Sequence, residues 1–129
     1  MPLLTITVDS SDSGTFTLVL AGSIDSDTYN ILEQKVDILL NPSLRTMIFD
    51  MKGVKYISSM GIKAILTSKE KIEKQGGALL MTNLQPQIRK VFDIIRAIPG
   101  QSIFTNRQEL DQYLARIQQK EIDKRSPPK

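Results

Sequence analysis

The sequence predicts an α/β domain built on a mixed, mainly parallel β-sheet that begins with an antiparallel hairpin and carries about four helices. Three observations predict it. Two runs near the N-terminus alternate apolar and polar residues on either side of a turn cluster, as half-buried strands do. Two later runs are short and apolar, as strands within a parallel sheet are. Between and after them, apolar residues recur at helical spacing, so helices and strands alternate along the chain.

Each element has its own signal. Leu4-Thr5-Ile6-Thr7-Val8 alternates, Asp9-Ser10-Ser11-Asp12-Ser13-Gly14 is rich in turn formers, and Thr15 to Ala21 alternates again through Phe16, Leu18 and Leu20. Asp25, Ser26 and Asp27 are all able to cap the next helix, whose stripe is Ile31, Leu32, Val36, Leu39 and Leu40 and which Asn41-Pro42 stops. Thr46 to Phe49 reads as a central parallel strand buried on both faces. Met60 to Lys74 carries Ile62, Ile65, Leu66 and Ile72 at helical spacing, and Gln75-Gly76-Gly77 ends it. Ala78 to Met81 is a further buried strand. Ile88, Val91, Phe92 and Ile95 mark a helix that ends before Pro99-Gly100, and Ile103-Phe104-Thr105 is a last short strand candidate. Asn106 can cap a final helix with Leu110, Tyr113, Leu114 and Ile117, with Glu109 at the capping-box position. From Lys120 the periodicity fades into charge and Ser126-Pro127-Pro128. The predicted division is one domain over 1–119 and a basic, flexible tail over 120–129.

Composition narrows the function classes. The 129 residues include no cysteine and no histidine, which removes disulfides, thiol nucleophiles, the commonest general base and the commonest transition-metal ligands. The net charge is +3, and +2 of it lies in residues 120–129, so the basic character is weak evidence for nucleic acid. Only Tyr113 accompanies the final basic helix, which leaves no stacking platform for bases. No apolar run approaches the roughly 20 residues that span a bilayer, and Met1-Pro2-Leu3-Leu4-Thr5 does not open a signal peptide. The expectation is a cytoplasmic protein without direct nucleic-acid or membrane contact. Asp25 and Asp50 are conceivable as a carboxylate pair for metal or acid/base work, but no third ligand or phosphate loop accompanies them. No metal or cofactor is expected.

The stretch that calls for a functional reading is Tyr56-Ile57-Ser58-Ser59-Met60-Gly61-Ile62, where two adjacent hydroxyls stand at a predicted helix start. A serine there ordinarily caps the helix by accepting a first-turn N–H, a contribution of about 1 kcal/mol. That accounts for one of them. Gly61 sits inside the first turn, where glycine costs about 1 kcal/mol against alanine. A bare backbone beside free hydroxyls lets another protein approach closely. Lys63, Lys69, Lys71 and Lys74 read as a solvated face partly countered by Glu70 and Glu73, and Lys63, within the first turn, is also placed to meet an acidic partner.

Three motifs in order resemble the STAS domain, and within it the small stand-alone anti-sigma factor antagonists of bacteria. They are Leu20-Ala21-Gly22-Ser23-Ile24-Asp25, Ile48-Phe49-Asp50-Met51-Lys52-Gly53-Val54, and the Tyr56 to Ile62 stretch, which is similar to the family's phosphorylation motif. The resemblance spans roughly Leu3 to Ile117 and implies a non-enzymatic partner switch. In that switch the unmodified antagonist binds an anti-sigma factor that is also a serine kinase of the histidine-kinase-like ATPase type, and the sigma factor is freed. Phosphorylation of the antagonist ends binding, and a serine phosphatase resets it. The family motif commonly reads Asp-Ser-Ser/Thr-Gly-Leu. Aligning Gly61-Ile62 with its end puts Ser59 on the acceptor, with Ser58 in reserve; Ser58 stands at the family's Asp and Met60 at its second hydroxyl. The implied partner surface is Asp25, Ser58, Ser59, Met60, Gly61, Ile62 and Lys63. An anion at a helix N-terminus is favoured by the first-turn amides, so the resemblance implies a switch by local clash, without a large conformational change. A STAS regulator of another partner-switching or stress-sensing pathway is the alternative, and a small nucleotide-binding or hydrolytic protein is a third class.

Overall fold

A computed structural model describes residues 3–12, 14–97 and 107–125. Strands β1 (Leu4–Asp12) and β2 (Thr15–Ile24) lead into helix α1 (Tyr29–Leu39); β3 (Thr46–Ile57), α2 (Ser59–Lys74), β4 (Ala78–Thr82), α3 (Pro86–Ala97) and α4 (Arg107–Arg125) follow. The four strands form one sheet in the order β1-β2-β3-β4. β1 and β2 are antiparallel, with Ile6 opposite Leu20 and Val8 opposite Leu18, while β2-β3 and β3-β4 are parallel. The predicted fold class is the observed one. The Ile103 to Thr105 strand candidate and the capping roles of Asn106 and Glu109 lie outside the described residues.

Alternation along the strands decides where the core sits. Leu18 and Leu20 of β2 and Met47, Phe49 and Met51 of β3 are fully buried, and one cluster joins them to Leu32 and Val36 of α1, Ile65 and Ile72 of α2, Ile88 and Val91 of α3 and Leu114 of α4. The other face is less covered: Thr46 and Ile48 are half-buried, and Leu80, the β4 partner of Ile48, is 51% exposed. The expectations that Thr46 to Phe49 is buried on both faces and that Ala78 to Met81 is a further buried strand are therefore corrected, the latter strand being half-buried or exposed throughout. Helices supply the apolar partners of one face only, so the apolar run of β3 is needed on one side of the pleat.

β3 also runs eight residues past Phe49, where the sequence pattern ends the strand. The reason is a pair of irregularities. One residue more is used on β3 than on β2 between Val19↔Asp50 and Ala21↔Gly53, and again between Gly22↔Val54 and Ser23↔Tyr56. Each bulge turns the following side chains over. Met51, Val54 and Ile57 are consequently all buried at a spacing of three, a period that neither a regular strand nor an α-helix has. At the first bulge Gly53 is required, because a Cβ there would stand 2.8 Å from the Leu20 carbonyl oxygen.

β3 outruns β4 as well: their last pair is Asp50↔Thr82. Glutamine side chains occupy part of the overhang. Gln85 Nε2 donates to the Lys52 carbonyl at 2.7 Å and Gln87 Nε2 to the Lys55 carbonyl at 3.0 Å. Gln118 of α4 accepts from the Ile57 N–H at 2.9 Å and donates to the Ile57 carbonyl at 2.8 Å, completing the edge at the last residue. α4 itself continues to Arg125, beyond Lys120 where the apolar period fades; Gln119–Asp123 and Glu121–Lys124 contacts support that last stretch. No helix among the described residues is long and apolar enough to cross a membrane.

Candidate functional site

The C-terminal end of β3 and the first turn of α2 hold both serines, and the chain gives them different work. Ser58 is the N-cap: its backbone is extended (φ −99°, ψ 178°), its N–H donates to the Ile24 carbonyl at 2.9 Å, and its Oγ accepts from the Gly61 N–H at 3.4 Å. Ser58 is 6% exposed, so its hydroxyl is committed to the helix. Ser59 is the first helical residue. Its Oγ is inaccessible and makes no hydrogen bond, the one such buried side-chain atom among the described residues. A buried hydroxyl without a partner costs about 1–3 kcal/mol.

The Ser59 N–H, one of the first-turn donors that a helix leaves unpaired, donates to the carboxylate of Asp111 at 2.8 Å. A negative charge already sits where the helix dipole favours one. Seven residues on, Gln118 (1% exposed) clamps both backbone groups of Ile57 and also donates to the Leu114 carbonyl at 3.1 Å. Asp111, Leu114 and Gln118 lie at i, i+3 and i+7, one face of α4. Sequence reasoning missed Asp111 and Gln118. The signal available was two polar residues interrupting the apolar stripe of the last helix.

Asp25 holds the neighbouring helix start. Its Oδ1 accepts from the Asp27 N–H (2.9 Å) and the Thr28 N–H (3.2 Å), while the Thr28 hydroxyl gives its one proton to the Ser23 carbonyl at 2.7 Å. Thr28, not Asp25, is the N-cap position of α1. Between the two helix starts lies Tyr56, whose phenol pKa is raised above 10.0 by burial first, then by the charges of Asp111 and Asp25. The rim of the site is thus acidic on two sides, with Lys63 exposed beyond it.

Two expectations are corrected here. Gly61 does not leave a gap for a visiting protein: a Cβ there would overlap the Ile24 carbonyl, and β2 of the same chain fills the space. Ile62, 5% exposed, packs into the core beside it. Met60 is half-buried, and with Asp25, Ser59 and Lys63 it makes up what remains of the predicted surface. Asp50 stands apart from Asp25. It pairs with Val19 in the sheet, whereas Asp25 follows the Ile24↔Ile57 pair, and its Oδ1 accepts from the Lys52 N–H (3.1 Å) and Asn83 Nδ2 (3.2 Å). No cluster of three or more acidic residues among the described residues could hold a metal ion.

A hairpin feeding a parallel sheet, with a capped serine pair at the exit of its long strand, agrees with the family model of the STAS domain, which matches residues 8–110. The chain belongs to the STAS domain family. It is 28% identical over 89 residues to BtrV of Bordetella bronchiseptica, a protein to which the role of anti-sigma factor antagonist is ascribed, covering 69% of this chain and 76% of that one. It is 31% identical over 75 residues to the anti-sigma-B factor antagonist of Bacillus subtilis, covering 58% of this chain and 68% of the relative. Among solved structures, the Bacillus cell fate determinant SpoIIAA in its phosphorylated form shares the fold, with a TM-score of 0.60 at 19% identity over 84% of this chain and 99% of that one. Within the STAS motif, serine in place of aspartate at position 58 keeps a side chain able to cap, since both residue types accept first-turn N–H bonds.

Proposed function

We propose that this STAS protein is an anti-sigma factor antagonist: a non-enzymatic binding module that, unmodified, engages an anti-sigma factor/serine kinase of the histidine-kinase-like ATPase type and releases the sigma factor. Phosphorylation of Ser59 ends the engagement and a serine phosphatase restores it. The observation that carries this reading is the division between the two hydroxyls. Ser58 is consumed by the helix, whereas Ser59 has a hydroxyl with no structural employment at the same helix start. The curated relatives named as antagonists support the partner class.

The chemistry is ordinary phosphoryl transfer. Ser59 Oγ forms a bond to the γ-phosphorus of ATP as the bond to the ADP oxygen breaks, and the hydroxyl proton leaves to a base of the kinase. The product carries about −1.5 to −2 charges at a rim that Asp25 and Asp111 already make acidic. A partner fitted to the unmodified helix start then meets bulk and desolvated charge. A loss of about 3 kcal/mol lowers affinity more than a hundredfold.

The test is incubation with ATP and an anti-sigma factor/serine kinase from the same genome, followed by mass-spectrometric mapping. Phosphate on Ser59 is expected. Transfer to Ser58, or no transfer, would overturn the assignment. A titration of Ser59→Asp against the same kinase should show the hundredfold loss; equal affinity would remove the switch.

A further inference from the structure

The serine that this reading needs is bonded through its backbone N–H by the chain's own last helix, and its hydroxyl has no accessible surface. Asp111 accepts from the Ser59 N–H and Gln118 takes both backbone groups of Ile57, so α4 is bonded to the two residues that flank Ser58, and Ser59 Oγ beside them is inaccessible. A kinase must bring the γ-phosphorus of ATP to that oxygen, and nothing can do so with the oxygen enclosed. The Asp111 carboxylate also holds the amide that a phosphate on Ser59 would turn to, so the two anions compete for one donor. We propose that α4 is an intramolecular latch over Ser58-Ser59, and that its docking and the phosphorylation of Ser59 exclude each other. The proposal rests on Ser59 being the modified residue and adds the regulation of that site.

The latch is attached in a way that suits release. Leu114 and Gln118 are the α4 residues that are fully buried among the described ones, and its remaining described side chains are half-buried or exposed. Its hold on the site is polar: one carboxylate and one amide, reaching 52 and 61 residues back along the chain. Reciprocity follows. Whatever free energy α4 docking costs the phosphorylated form relative to the unmodified one, a phosphate on Ser59 costs docking. A switch by local clash alone, with α4 left in place, does not fit the occupied amide.

The absence of cysteine in the chain makes a clean test possible. Ser59→Cys is labelled with an aryl disulfide reagent in two backgrounds, the native α4 and Asp111→Ala/Gln118→Ala. Labelling is expected to rise about tenfold or more in the second, within the usual range of coupling between linked sites. Val36→Cys, fully buried on α1, serves as the control and should keep its rate. Equal labelling of Ser59→Cys in both backgrounds overturns the latch. So does equal acceleration of Val36→Cys, which would make α4 part of the body of the fold. In the second measurement phosphoserine is genetically encoded at position 59 and deuterium uptake is followed over residues 111–118. Faster exchange than in the unmodified chain is expected, and unchanged protection overturns the proposal. Neither measurement uses a kinase or a sigma-factor partner, so the latch and the partner reading fail separately.

Discussion

The two crossover helices of the sheet begin side by side, yet their first turns are held in opposite ways. The start of α1 has no side-chain cap of its own and is held through its entry loop, by Asp25 and Thr28 acting across two to five residues and by the Asp25 carbonyl, which accepts from the Tyr29 N–H. The start of α2 is held partly by Ser58, three residues away, and partly by Asp111 of a helix at the other end of the chain. A local cap forms whenever its loop forms and leaves only when the helix unwinds. A distant cap can leave while the helix stays. The region closed from afar is the one that carries the unpaired serine hydroxyl, and that is the difference regulation can use.

The contrast can be tested from its largest expected effect downwards. Gly61→Ala pushes a methyl group into the Ile24 carbonyl, and overpacking of this kind costs about 1–3 kcal/mol. Urea denaturation should register that loss with an unchanged m-value, and an unperturbed midpoint would mean that the α2 start is looser than its geometry. Asp25→Ala removes the acceptor of two N–H groups, so about 1–2 kcal/mol of global stability should go with it. By comparison Asp111→Ala should change the denaturation midpoint by less, while raising hydrogen exchange at Ser59 and along α4. If Asp111→Ala proved as globally destabilising as Asp25→Ala, the two caps would be equivalent and the contrast lost. Ser58→Ala should cost about 1 kcal/mol or less, since its 3.4 Å bond is long.

The smallest effect is a titration. Tyr56 keeps its proton above the ordinary 10.0 because burial, Asp111 and Asp25, in that order, oppose the phenolate. The folded state binds this proton more tightly than the unfolded one. Its contribution to stability is therefore complete below pH 10 and is lost as pH rises through the folded-state value. Asp111→Asn should bring the Tyr56 absorbance titration back toward 10.0, and Asp25→Asn should do so by less. A larger response to Asp25 would place the α1 loop, not α4, as the nearer neighbour.

Much of this was legible in the residues. The hairpin follows from two alternating runs, the parallel strands from two apolar ones, and the capping of α2 from a serine before an apolar stripe. The second half of β3 was not legible, because two bulges convert its burial into the triplet Met51, Val54, Ile57 that matches no regular period. Gly61 was legible as unusual but not in its cause, since the Ile24 carbonyl that excludes a side chain lies 37 residues away. Asp111 and Gln118 were hidden for the same reason. Their partners are set by tertiary packing, and a lone carboxylate and amide on a polar helix carry no local mark of what they will meet.

The overhang of β3 past β4 has a mechanical consequence. Had a fifth strand covered Ile57, freeing the end of β3 would have meant peeling the sheet and giving up its cooperativity. Here the final rung is one glutamine amide, so on the proposed latch α4 would leave by giving up that amide, the Asp111 bond and the burial of Leu114, while every strand keeps its neighbours. A side chain standing in for a strand makes the boundary between what moves and what stays a single residue wide.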